Sequence, residues 1–191
     1  MDASNEYVLL SVPGDDQRTG CTTKGICGKT EEVANLQDLL IYTLKGIAVY
    51  AALARELKVS HRATDEFMME SLFSTITNAN FSADSFVERI QDGLRLREGL
   101  GRDIIAAGGK SPANFPDAAT WTASADDFEW KAALVGVLAT EDEDVRSLRE
   151  LLTYGVQGSA SRFLLRAHSI SPKLLELLCL QLNSHFFDLH G

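Results

Sequence analysis

Cysteine is scarce in this chain: three among 191 residues, an odd number without framework spacing. That excludes a disulfide-stapled secreted domain and suits a reducing compartment. No apolar run is long enough to span a bilayer, and the N-terminus lacks the basic-then-apolar order of a signal peptide. Basic residues are outnumbered, 18 Lys and Arg against 27 Asp and Glu, for a net charge of −9 and a pI near 4.9. Nucleic acid rewards the opposite balance, so it is excluded as a partner, and the acidity serves solubility. A cytoplasmic protein is the default expectation.

Catalytic constellations are missing as well. Gly108-Gly109-Lys110-Ser111 imitates the end of a phosphate-binding loop, but Ile104 stands where its first glycine belongs, and a helix precedes it instead of a strand. Cys179, His185 and His190 form no convincing zinc site without a fourth ligand, and read as a core thiol with surface histidines. His61 and His168 stand alone beside basic residues and are expected to be solvated. The carboxylates gather in helix first turns, at Asp126-Asp127 and from Glu141 to Asp144, where caps and solvated faces account for them. No Ser–His–Asp or Cys–His set can be assembled.

What the chain does have is helical periodicity. Apolar residues make up 45%, enough to bury a core as one domain or two small ones. Thr30 is a natural N-cap, with Glu31 and Glu32 in the turn where the helix dipole favours acids. From there Leu36, Leu39, Leu40, Leu44, Ile47, Ala48 and Ala51 recur at three- and four-residue steps, one stripe of a helix running to about Leu57. A second helix opens at Thr64 and presents Phe67, Met68, Leu72, Phe73 and Ile76. A third follows Ser82, with Phe86, Val87, Ile90 and Leu94 inward, ending at Gly108-Gly109. Gly99 and Gly101 leave room for a break in its middle.

The fold class is therefore all-α: a three-helix bundle over residues 29–109, a Pro- and Gly-containing linker over 110–125, and a second, partly incomplete helical unit over 126–191. Residues 1–28 form an N-terminal arm and a cysteine loop. Trp121 and Trp130 are expected where the two helical units meet. The second unit is related to the first by an internal repeat: EEVANLQDLLIYTLKG at 31–46 aligns without gaps to EDVRSLRELLTYGVQG at 143–158. Leu148, Leu151, Leu152 and Val156 then repeat Leu36, Leu39, Leu40 and Leu44, each copy burying the same stripe. Beyond Gly158 the correspondence fades, although Leu174, Leu177, Leu178 and Leu182 still mark a helical stripe after Ser171-Pro172.

The cysteine loop, Gly20-Cys-Thr-Thr-Lys-Gly-Ile-Cys-Gly28, has no counterpart in the second copy. Its glycines permit tight turns and close approach of backbone amides to the sulfurs of Cys21 and Cys27. Two readings stand side by side. The pair is half of an iron–sulfur site at a helix N-terminus, or it is two plain reduced thiols.

TGCTTKGICGKTEEVANLQDLLIYTLKGIAVYA and TDEFMMESLFSTITNANF, together with VGVLATEDEDVRSLRELLTYG, resemble the N-terminal helical domain of the prismane proteins. That family is also called hybrid-cluster proteins or hydroxylamine reductases. The resemblance is dense over residues 19–95 and 134–157 and absent at both ends, which points to a change of frame or exon there. It implies a 4Fe-4S cubane held by four cysteines, of which Cys21 and Cys27 match the last two. The first pair falls near Leu9 and Val12, and Asp15 or Asp16 would be a poor oxygen substitute. It further implies that the hybrid cluster, which acts on hydroxylamine or related nitrogen oxides, is held by α/β domains this chain does not contain. No catalytic residue is therefore expected here.

Two functions follow as expectations. One is an iron–sulfur-bearing domain passing electrons to a hybrid cluster elsewhere, with Cys21 and Cys27 as metal ligands and an unidentified electron donor. The other is a cluster-free packing or dimerisation module. An isolated copy should expose apolar surface and self-associate, as a homodimer or against the family's α/β domains.

Overall fold

The computed structural model describes residues 29–77, 82–110 and 115–165. Among them there are six α-helices and no strands: α1 (Glu31–Glu56), α2 (Arg62–Ile76), α3 (Ala83–Ala106), α4 (Asp117–Thr120), α5 (Phe128–Val135) and α6 (Glu143–Leu165). Short 3₁₀ turns occupy Ala125–Asp127 and Val137–Ala139. The all-α class is as the periodicity required.

Local chemistry sets the boundaries. The Thr30 hydroxyl accepts from the Val33 amide at 3.3 Å, and the Ser82 hydroxyl does the same for Ser85. Asp142 opens α6 by accepting from the Val145 amide at 2.9 Å. These side chains satisfy amides that the first turn leaves unpaired. Both long helices α1 and α3 close in the same way. Val59 donates back to the Ala54 carbonyl at 2.8 Å, and Gly109 to that of Ile104 at 2.9 Å. The residue before each donor must be left-handed; at Gly108 (φ 83°) that is easy, and at Lys58 (φ 58°) it is not. α3 runs unbroken through Gly99 and Gly101, and α2 starts two residues earlier than the sequence suggested.

α1 is the hub. Leu39, Leu40, Leu44, Ile47, Ala48 and Ala51 are fully buried, and α1 packs chiefly on α3, then on α5, α4 and α2. It is also long and apolar enough, by length and composition alone, to cross a membrane. Its apolar stripe is instead taken up by the surrounding helices, and it carries the polar Gln37, Asp38 and Lys45. Gly46 lets the α4 backbone touch α1: a Cβ there would lie 1.9 Å from the Ala118 carbonyl oxygen. The stretch read as a linker thus includes a helix seated on the core, with Ala118 and Ala119 buried.

α6 lies along α2 and departs from expectation. It buries Thr153, Val156, Gln157 and Ala160, and Gln157 donates to Thr75 Oγ1 at 2.7 Å. Of the stripe shared with α1, Val156 is buried, but Leu148, Leu151 and Leu152 are 62%, 68% and 40% exposed. The pattern marks an apolar face; a neighbouring segment has to cover it, and among the described residues none does. Trp130 corrects a second expectation. It is 65% exposed, while Trp121 packs between Tyr42 and Phe128 at ring distances of 6.1 and 5.9 Å.

Candidate functional site

Cys21 and Cys27, the expected metal ligands, lie outside the described residues, as do Asp15, Asp16, Cys179, His168, His185 and His190. The structure does describe the helix end that follows the loop. Thr30 caps α1 three residues after Cys27, so the amide-rich, positive end of a 26-residue helix adjoins the thiol segment in sequence. Lys29 turns back along α1 and donates to Gln37 Oε1 at 2.6 Å. Gln37 is 5% exposed, and its Nε2 finds no acceptor among the described residues.

The donor chemistry can be weighed directly. A cubane takes four thiolate ligands; by the resemblance Cys21 and Cys27 would supply two, and the other two motif positions fall near apolar Leu9 and Val12. Among the described residues no group of three or more His, Cys, Asp or Glu side chains is arranged to hold a metal. The donor set of one chain does not fit a complete four-iron cubane.

Next to Gln37 begins a charged cluster that the sequence did not reveal. Asp38, half-buried, accepts from the Val137 amide at 2.9 Å and so fastens the turn after α5 to α1. Burial raises its pKa to about 6, against the pull of that amide, Lys45 and Lys29. Burial likewise raises Glu150 to about 7, helped by Asp38 and opposed by Lys45. The Lys45 ammonium is shifted down, by burial first. Two carboxyls whose pKa values are raised toward neutrality, and an ammonium shifted down, thus lie between α1 and α6. Only the spacing of Asp38 and Lys45 on the polar side of α1 was visible in the sequence; Glu150 comes from far along the chain.

A second network anchors α4. Asp117 accepts from the Tyr42 hydroxyl and, at 2.5 Å, from Lys131 Nζ, which lies 5.0 Å from the Tyr42 ring centre. These two hydrogen bonds depress the Asp117 carboxyl, whereas burial and Asp117 raise the Tyr42 phenol. Arg97, 2% exposed, donates to the Ala118 carbonyl at 2.6 Å and also to that of Trp121. The sequence held one clue: Arg97 falls in register with Phe86, Ile90 and Leu94 on the apolar stripe of α3. A buried guanidinium at such a position has to find carbonyl or carboxylate partners. The network holds α4 to the core through the buried Arg97 and Lys131, while the Asp117 carboxylate stays exposed at its edge.

His61 corrects another expectation. Its side chain is 11% exposed rather than solvated, with Nδ1 2.9 Å from Asp65 Oδ1, although the contact lacks hydrogen-bond alignment. Arg55 reaches the same oxygen at 3.0 Å. Between α1 and α3 a cavity of about 70 Å³ is lined by Tyr50, Leu53, Ile104 and Phe115. It has room for a few waters.

The chain matches the family model described as "Prismane/CO dehydrogenase family" over residues 17–175. It is 61% identical over 144 residues to a hydroxylamine reductase of Desulfitobacterium hafniense, covering 75% of this chain and 26% of that protein. It is 49% identical over 176 residues to a hydroxylamine reductase of Clostridium tetani, covering 80% of this chain and 31% of the relative. A hydroxylamine reductase of Clostridium botulinum is 49% identical over 166 residues, covering 74% and 29%. The chain thus spans between a quarter and a third of the length of these curated relatives. With a matched stretch covering most of its residues, the chain belongs to the Prismane/CO dehydrogenase family.

Proposed function

We propose that this chain is the helical, thiol-bearing module of a hydroxylamine-reductase-type oxidoreductase. The observation that supports it is the 61% identity over 144 residues to a protein of that name. At that level the helical scaffold and the role it plays in the larger enzyme are expected to be shared. In this reading Cys21 and Cys27 would hold iron as thiolates, in a segment that adjoins the amide-rich end of α1 in sequence, an end that favours negative charge. They complete no cubane, so they hold half of a cluster, with the other ligands coming from a second chain or another polypeptide. Turnover of hydroxylamine or a related nitrogen oxide rests with the α/β domains of the larger enzyme, and these 191 residues alone are not catalytic. Cytoplasmic residence follows from the same reading.

A second reading has its own support. Leu9 and Val12 replace two thiols, and α6 carries an uncovered apolar face; together these favour a cluster-free packing module. Anaerobic expression, followed by iron and sulfide quantification, separates the two. Iron bound to the wild-type chain and lost in Cys21→Ser supports the redox module. Wild-type protein without iron retires it and leaves the packing module.

A further inference from the structure

The outward face of α6 carries more than loose leucines. Asp144, Leu148, Leu151, Gly155, Gly158 and Arg162 follow one another at steps of three and four residues. On a helical wheel they fall within a sector of about 80°, opposite the side that carries Thr153, Val156 and Ala160 into the core. Leu148 and Leu151 are 62% and 68% exposed, and a Cβ added at Gly155 or Gly158 would meet nothing within 4 Å. Asp144 and Arg162 are both exposed. One half of the face thus bears knobs and an acid, the other half hollows and a base.

The order is self-complementary. Asp144 and Arg162 are equidistant from Thr153, as are Leu148 and Gly158, and Leu151 and Gly155. We propose that α6 pairs antiparallel with α6 of a second copy of this chain, about a two-fold axis level with Thr153. Leu148 and Leu151 of each copy then seat over Gly158 and Gly155 of the other, where the missing side chains let the backbones approach. At each end Asp144 meets Arg162 of the other copy, so both ends of the contact are closed by opposite charges. Such a contact is isologous, uses one patch twice and closes as a dimer, without leading on to a fibre. It runs over about 27 Å of helix and removes the most exposed leucines of α6 from water. A parallel pairing would set acid on acid and leucine on leucine, which fixes the direction. The pairing depends on α6 alone and holds whether or not Cys21 and Cys27 carry iron.

Sedimentation analysis of the full chain across a concentration series, on metal-free and on anaerobically prepared protein, is the test. A reversible species of twice 20.9 kDa is expected in both preparations. Leu151→Asp should weaken it by at least about tenfold, with unchanged circular dichroism. Gly155→Leu should weaken it as much while raising helicity, which separates loss of pairing from loss of fold. Asp144→Arg and Arg162→Asp should each weaken the dimer, and the two together should restore it. A chain monomeric throughout the series overturns the proposal. A dimer indifferent to Leu151→Asp, or a charge swap without rescue, overturns it too, because the contact then lies elsewhere or runs in another register.

Discussion

Gly46 offers the sharpest test of how α4 is seated. In an open helix interior Gly→Ala stabilises by about 1 kcal/mol, because alanine gives up less backbone freedom. At Gly46 the added methyl would stand 1.9 Å from the Ala118 carbonyl oxygen and 2.6 Å from its carbon. Both are backbone atoms, so α4 must retreat by more than about 1 Å to restore ordinary contact, at an overpacking cost of about 1–3 kcal/mol. The retreat also draws the Ala118 carbonyl off Arg97, a buried charged hydrogen bond of 2.6 Å whose loss costs about 1.5–3 kcal/mol. The two costs share one displacement and do not add in full. After the helix gain is subtracted, Gly46→Ala should lose about 2–3 kcal/mol. Gly99→Ala is the control: its nearest neighbour would be Arg102 Nη2 at 3.8 Å, so it should gain up to about 1 kcal/mol. Urea unfolding under reducing conditions, followed by circular dichroism, reads both as opposite shifts of the midpoint at constant slope. A Gly46→Ala protein as stable as the wild type would refute the close approach of α4 to α1.

Two further expectations come from the same helices. Asp38 and Glu150 have folded pKa values of about 6 and 7, raised from 3.8 and 4.5. Their stabilising effect is therefore complete below about pH 4 and is lost as the pH rises through the folded values, by about 2 kcal/mol once coupling and partial exposure are discounted. Asp38→Asn keeps an acceptor for the Val137 amide and should flatten the slope of urea midpoints between about pH 4 and 7; an unchanged slope would place the titrating group elsewhere. Lys58 holds a left-handed φ of 58° at the end of α1, so Lys58→Gly should raise the thermal midpoint by relieving about 1 kcal/mol of strain. A lowered midpoint would mean that the Lys58 side chain contributes more than its backbone costs.

Much of the fold could be read before the structure. Thr30 and Ser82 announced two helix starts, Gly108-Gly109 one helix end, and the stripe from Leu36 to Ala51 is buried residue for residue. These are local signals: a cap, a left-handed turn and a 3.6-residue period act within a few residues of themselves. The candidate site was less readable for the same reason. Asp38 and Val137 meet across 99 residues of chain, Gln157 and Thr75 across 82, and Arg97 finds its carbonyls on a helix in the expected linker. A periodicity does not state which distant segment will supply a partner. His61 and Trp130 were assigned by type and neighbours, and each went the other way once tertiary contacts decided.

The two segments whose sequences align, 31–46 and 143–158, make the same point more strongly. Val33, Leu36, Leu39 and Leu40 are at most 6% exposed, whereas Val145, Leu148, Leu151 and Leu152 are 38%, 62%, 68% and 40% exposed. The residue types match, and so does the helical conformation, so the difference lies in what surrounds each helix. α1 has α3, α4 and α5 around it, whereas α6 packs chiefly on α2. A helix selected to be covered and left open keeps its demand for apolar contact. In the longer relatives other parts of the chain are available to answer that demand. Among the described residues nothing covers that face, which leaves the rest of the chain or another molecule. Gly158 repeats Gly46, which in α1 admits a segment of the same chain, and Gly155 replaces Thr43; what favours another molecule is the placement of the two glycines together. They cut two hollows in the outward face of α6 at the spacing of its own two most exposed leucines.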